Sequence, residues 1–120
     1  AGVFAFRNGQ AQSDKVELIQ EARAYIDSHF SDPNLLLEEV ATSVNLSPSH
    51  FSTVFSRETG ETFIEYLTSV RIEKAKELLR TTSLKSFEIS DRVGYGDPHY
   101  FSTVFKKNTG LTPMEFRLSA

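Results

Sequence analysis

The chain contains no cysteine. That absence excludes a disulfide framework, a thiolate metal site and a cysteine nucleophile, and it fits a reducing cytoplasm. No apolar run approaches the roughly 20 residues that span a bilayer, and no signal-peptide pattern is present, so no membrane partner is expected. A positive balance is lacking as well: 13 Lys and Arg stand against 16 Asp and Glu, for a net charge of −3. Nucleic-acid binders are usually basic, so any DNA contact here should use few phosphates. There is no Gly-rich phosphate loop, and His29, His50 and His99 lie far apart without partners at metal-ligand spacing. No catalytic residue, metal or cofactor is therefore expected.

What is present is a sentence written twice. From Ser47 the chain reads Ser-Pro-Ser-His-Phe-Ser-Thr-Val-Phe-Ser-Arg-Glu-Thr-Gly, and from Asp97 it reads Asp-Pro-His-Tyr-Phe-Ser-Thr-Val-Phe-Lys-Lys-Asn-Thr-Gly. Nine of the seventeen positions from His50 and from Tyr100 are identical. The fold is therefore read as a duplicated unit.

Each copy carries its own helix punctuation. Ser47 and Asp97 can cap a first turn whose Pro48 and Pro98 need no N–H donor, and Gly60 and Gly110 can close it left-handed. Phe51, Val54 and Phe55, like Phe101, Val104 and Phe105, fall at i, i+3, i+4 and form an apolar face. The opposite faces are small and polar: Ser49, Ser52, Thr53 and Ser56 in the first copy, His99, Ser102, Thr103 and Lys106 in the second. Arg57 or Lys107 stands beside the end of each. Such a helix suits the major groove, where side chains meet base edges and flanking cations meet phosphates. The alternative for either helix alone is an ordinary solvated face; the duplication favours DNA.

Residues 1–14 lack periodicity and read as a flexible tail or linker remnant, with Val3, Phe4 and Phe6 as apolar exceptions. The first residue is Ala rather than Met, so a processed product or a fragment of a longer chain is expected. Val16, Ile19, Ala22, Ile26 and Phe30 mark an amphipathic helix over about residues 15 to 30. Leu37, Val40, Ala41 and Val44 mark a shorter one that turns at Asn45 into the first repeat. Helix, tight turn and polar-faced helix make a helix-turn-helix, giving a first subdomain over residues 15–60.

Residues 61–80 read as a connecting helix with Phe63, Ile64, Leu67, Val70, Ala75, Leu78 and Leu79 apolar. At 1.5 Å per residue it spans roughly 30 Å, close to one turn of B-DNA at roughly 34 Å. Residues 81–120 form the second subdomain: a short helix with Phe87, Ile89 and Val93 inward, a turn at Gly94, the second repeat, and a closing helix capped by Thr112 with Pro113 first. The second turn is one residue longer than the first. The fold class is thus all-α, two helix-turn-helix subdomains joined by a long helix.

The run Val93-Gly94-Tyr95-Gly96-Asp97-Pro98-His99-Tyr100-Phe101-Ser102, with Phe105-Lys106-Lys107, Gly110-Leu111-Thr112-Pro113 and Phe116-Arg117, closely resembles the C-terminal signature of AraC/XylS-family transcription regulators. Tyr66-Leu67, Arg71-Ile72 and residues 75–79 resemble that family's connecting helix. The resemblance covers about residues 15–118. It implies seven helices, with one helix of each subdomain in adjacent major-groove turns of double-stranded DNA. It also implies a role in transcription regulation through RNA polymerase, and an N-terminal receiver or ligand-binding domain upstream. The variant that ends response regulators of two-component systems is especially similar.

At matching positions the resemblance makes Ser49, Ser52, Thr53, His99, Ser102 and Thr103 base-reading. It makes Ser47, Arg57, Lys106 and Lys107 phosphate-binding. Many relatives have Arg where Thr53 and Thr103 stand; Thr suits thymine or water-mediated reading. Ser86 and Ser90 replace residues that are more apolar in relatives. Two other functions compete. An enzyme lacks its constellation, and DNA-repair methyl transfer would need a cysteine. A helical protein-interaction module would bind without regard to salt.

Overall fold

The computed structural model describes the backbone of residues 2–120 and side chains from residue 14 onward. Among the described residues there are seven helices and no strand. They fall into two units: Ala1–Ser28 with Leu36–Phe63, and His29–Leu35 with Ile64–Ala120.

The first unit is built from α1 (Gly2–His29), α2 (Leu37–Ser43) and α3 (Pro48–Thr59). α1 is described from Gly2, upstream of the start near residue 15 that its apolar spacing predicts. Extending a formed helix fixes one residue per hydrogen bond, whereas nucleation fixes three, and no proline precedes Pro33 to stop it. How Val3, Phe4 and Phe6 pack lies outside the described residues. Ile19, Ala22 and Ile26 are buried at i, i+3, i+7, as the periodicity requires. Val16 is not; it is 57% exposed, one turn beyond the end of the buried stripe. Val40, Ala41 and Val44 are buried from the α2 side, and Phe51 and Phe55 from α3. The two rings stack tilted, 5.4 Å between centroids. Across the unit the Tyr25 hydroxyl donates to Glu39 Oε2 at 2.6 Å.

The second unit takes α4 (Phe63–Thr81) from Ile64 on, then α5 (Ser86–Arg92), α6 (Pro98–Thr109) and α7 (Pro113–Ser119). Its core joins Ile72, Ala75, Leu79, Ile89, Val93, Tyr95, Phe101 and Phe105. α5 departs from its expected packing. Phe87 is 53% exposed rather than inward, while Ile89, Ser90 and Val93 are fully buried. At 100° per residue, Phe87 lies about 200° around the helix from Ile89, so one cannot face the core if the other does. Ser90 fits the place an apolar residue was expected to fill, because its hydroxyl donates to Tyr95 O at 2.8 Å.

Arg71 sits in the apolar stripe of α4 and is only 8% exposed. Its guanidinium donates through Nε to Phe30 O and through Nη2 to Asp32 O, both at 2.9 Å. Tyr95 lies under it, 5.1 Å from ring centre to Cζ. Burial lowers the Arg71 pKa and raises that of Tyr95, and the attraction between the two opposes both shifts. Arg117 of α7 repeats the device, donating through Nε to Leu79 O and through Nη2 to Thr82 O, each at 3.1 Å. In both cases a planar fork satisfies carbonyls left over where a helix ends.

Candidate nucleic-acid interface

The reading helices α3 and α6 are set by the same local chemistry. Ser47 Oγ accepts from His50 N at 3.3 Å, and Asp97 Oδ1 accepts from His99 N at 2.9 Å. Pro48 and Pro98 occupy the first turns. At the other ends, Gly60 and Gly110 stand at φ 80° and 82°, with their N–H groups on Ser56 O and Lys106 O. Thr59 and Thr109 pin the exits alike: their hydroxyls donate to Phe55 O at 2.6 Å and Phe105 O at 2.8 Å. They also accept from Glu61 N at 3.2 Å and Leu111 N at 3.1 Å.

Burial then fixes the rotation of each helix. Phe51 and Phe55, like Phe101 and Phe105, have no exposed surface. That turns Ser49 and Thr53 outward in α3, and His99 and Thr103 outward in α6, all exposed, with Ser52 and Ser102 half-buried beside them. The six expected base-reading residues therefore fall into two groups of three, each on the solvent side of its own helix. Ser47, Arg57, Lys106 and Lys107 are exposed at the ends of those helices. The three cations lie in the last turns, where the helix dipole favours positive charge. Among the described residues no ion pair occupies them; pairs form elsewhere, as between Lys15 and Glu58, Lys74 and Glu77, and Lys76 and Glu73. Lys106 does lie near enough to Glu115 to help hold that carboxyl below its ordinary value, behind the larger effect of the Thr112 hydrogen bonds.

The turns that carry the two helices differ. The first has Asn45 at φ 61°, and the second has Gly94 at φ 96°. A Cβ on Gly94 would lie 2.3 Å from Phe30 O and 2.8 Å from Arg71 Nε. Sequence reasoning found the left-handed turn residues but missed the polar clamp behind Gly94. Its signal was a lone cation, Arg71, one turn from Leu67 and one from Ala75 in an otherwise apolar stripe. Among the described residues no group of His, Asp and Glu could hold a metal ion. No helix among them is long and apolar enough to cross a membrane.

Two small all-helical units, each presenting a capped polar helix after a tight turn, define a helix-turn-helix protein. Residues 40–119 match the family described as helix-turn-helix domain. The chain is 41% identical over 99 residues to the arabinose operon regulatory protein of Escherichia coli, covering 82% of this chain and 34% of that protein. It is similar to the C-terminal domain of AraT, a response regulator from Geobacillus stearothermophilus, at 47% identity and a TM-score of 0.83. That likeness covers 86% of this chain and 85% of the other. The C-terminal domain of the two-component response regulator yesN from Fusobacterium nucleatum is 40% identical, with a TM-score of 0.78, covering 84% of this chain and 95% of that one. The chain belongs to the AraC/XylS family and is an AraC-type helix-turn-helix DNA-binding domain of transcription regulators. These relatives are regulators of transcription, not enzymes. The chain spans 34% of the arabinose regulator's length and 16% of the transcriptional activator Btr of Bacillus subtilis.

Proposed function

We propose that each unit lays its reading helix in the major groove of double-stranded DNA. Ser49, Ser52 and Thr53 read base edges in one half-site, and His99, Ser102 and Thr103 read them in the other. Ser47, Arg57, Lys106 and Lys107 hold phosphates. The observation that carries this reading is the pair of outward Ser-Thr faces, each on a helix anchored by two fully buried phenylalanines and ended by cations outside any ion pair. Ser47 suits its role because its oxygen accepts from the backbone while its proton stays available to a phosphate.

In the same reading, the domain is the output end of a larger cytoplasmic regulator that acts on RNA polymerase. A receiver or ligand-binding domain governs it. The likeness to two response-regulator domains favours the receiver.

Selection of bound duplexes from a random pool at near-physiological salt tests this. Two enriched boxes about one helical turn apart are expected. Affinity should fall with salt by about 0.9 logarithmic units per decade for each phosphate neutralised. Binding that ignores both sequence and salt would instead favour a protein-interaction module.

A further inference from the structure

Within that reading, we infer that Thr53 and Thr103 recognise thymine through their γ-methyl groups, at equivalent positions of the two half-sites. Thr53 Oγ1 donates to Ser49 O at 3.1 Å, and Thr103 Oγ1 donates to His99 O at 3.0 Å. A hydroxyl has one proton, and here the helix backbone holds it. Neither threonine therefore has a donor left for guanine O6 and N7 or for thymine O4. The same bond draws the oxygen back onto the preceding turn and leaves the methyl turned away from that carbonyl. Both side chains are exposed, so this methyl is what an approaching base edge meets.

Thymine is the base with a methyl in the major groove, and an apolar contact there is a recognised mode of reading it. Ser52 and Ser102, one residue earlier, make no such bond to the helix, so their protons remain available for hydrogen-bonded reading. Phe-Ser-Thr-Val-Phe is identical at residues 51–55 and 101–105, so both heads present the same methyl in the same place. Ser49 and His99, one turn earlier, differ and would make the half-sites unlike elsewhere.

The test replaces each thymine of a selected duplex in turn by deoxyuridine, which removes the 5-methyl and keeps the pairing. One sensitive position is expected in each half-site, with affinity about fourfold weaker, the value of one buried methyl-sized group. T53S should abolish the sensitivity in one half-site and T103S in the other, while T53V and T103V, which keep a methyl, should retain it. The proposal is overturned if no position responds to uracil, or if the serine variants respond as the parent does. A preference lost in the valine variants but indifferent to uracil would mean that the hydroxyl reads an adenine or cytosine amino group. Failure of the parent chain to enrich any duplex would overturn the DNA-reading assignment itself, not the role of the threonines.

Discussion

The two helix-turn-helix units share a reading helix and differ in what stands behind the turn that carries it. In the first, Asn45 takes φ 61° on an exposed turn, and Leu46 N returns to Ala41 O at 3.0 Å. In the second, Val93, Gly94 and Tyr95 are all buried. Ser90 donates to Tyr95 O, and Arg71 closes the rear against Phe30 and Asp32. Two helices that share the run Phe-Ser-Thr-Val-Phe are thus carried by one exposed turn and by one whose interior is filled and hydrogen-bonded. The duplication holds in the buried phenylalanines and at the Ser and Thr between them, differs at Ser49 and His99, and fails at the turn behind each helix.

Substitution at the two left-handed positions should separate them most. Gly94→Ala places a Cβ against a backbone carbonyl at a strained φ, and a loss of about 3 kcal/mol or more is expected in thermal or denaturant unfolding. Asn45→Ala meets only the left-handed strain and should cost about 1 kcal/mol. Equal losses would mean that the clamp behind Gly94 contributes nothing.

The two arginine forks give the next contrast. Arg71→Met removes two charge-assisted hydrogen bonds from a buried site, with an expected cost of about 2–4 kcal/mol. Arg117→Met removes the same pair of bonds from a half-exposed site, and about 1–2 kcal/mol is expected. Reversal of that order would show that burial does not govern the value of the fork.

Acid gives the smallest effect. Glu115 closes a capping box at the start of α7, accepting from Thr112 N at 2.8 Å while Thr112 Oγ1 accepts from Glu115 N. Those bonds hold its pKa below the ordinary 4.5. A depressed carboxylate stabilises the folded form above its unfolded value, and that contribution is lost as pH falls through the folded one. The protection of α7 amides, taken relative to the intrinsic exchange rate at each pH, should therefore fall as acid protonates Glu115 in the parent chain, while a Glu115→Gln variant should lack that step.

Much of this was legible in the sequence because the repeated helices obey local rules. Caps at Ser47, Asp97 and Thr112, stops at Gly60 and Gly110, and the paired phenylalanines are all set by residues within a turn or two of one another. What escaped depends on distant partners or on rotation about a short helix. Phe87 looked internal by composition, yet in a seven-residue helix the direction of the face is fixed by the core it meets. The role of Arg71 depends on carbonyls about forty residues earlier in the chain, which no local pattern places beside it. Val16 keeps the helical period of Ile19, Ala22 and Ile26 and is nonetheless exposed, because period alone does not say where the covering partner lies.

Whether two reading heads act on separate boxes is tested by comparing base preferences of Ser49→Ala and His99→Ala with the parent, using one selected duplex and every single-base variant of it. Each substitution should alter preference in one box and leave the other unchanged, whereas Lys107→Ala should weaken all duplexes about equally. Changes spread evenly over both boxes by either reading-head substitution, or confined to the same box by both, would contradict the account.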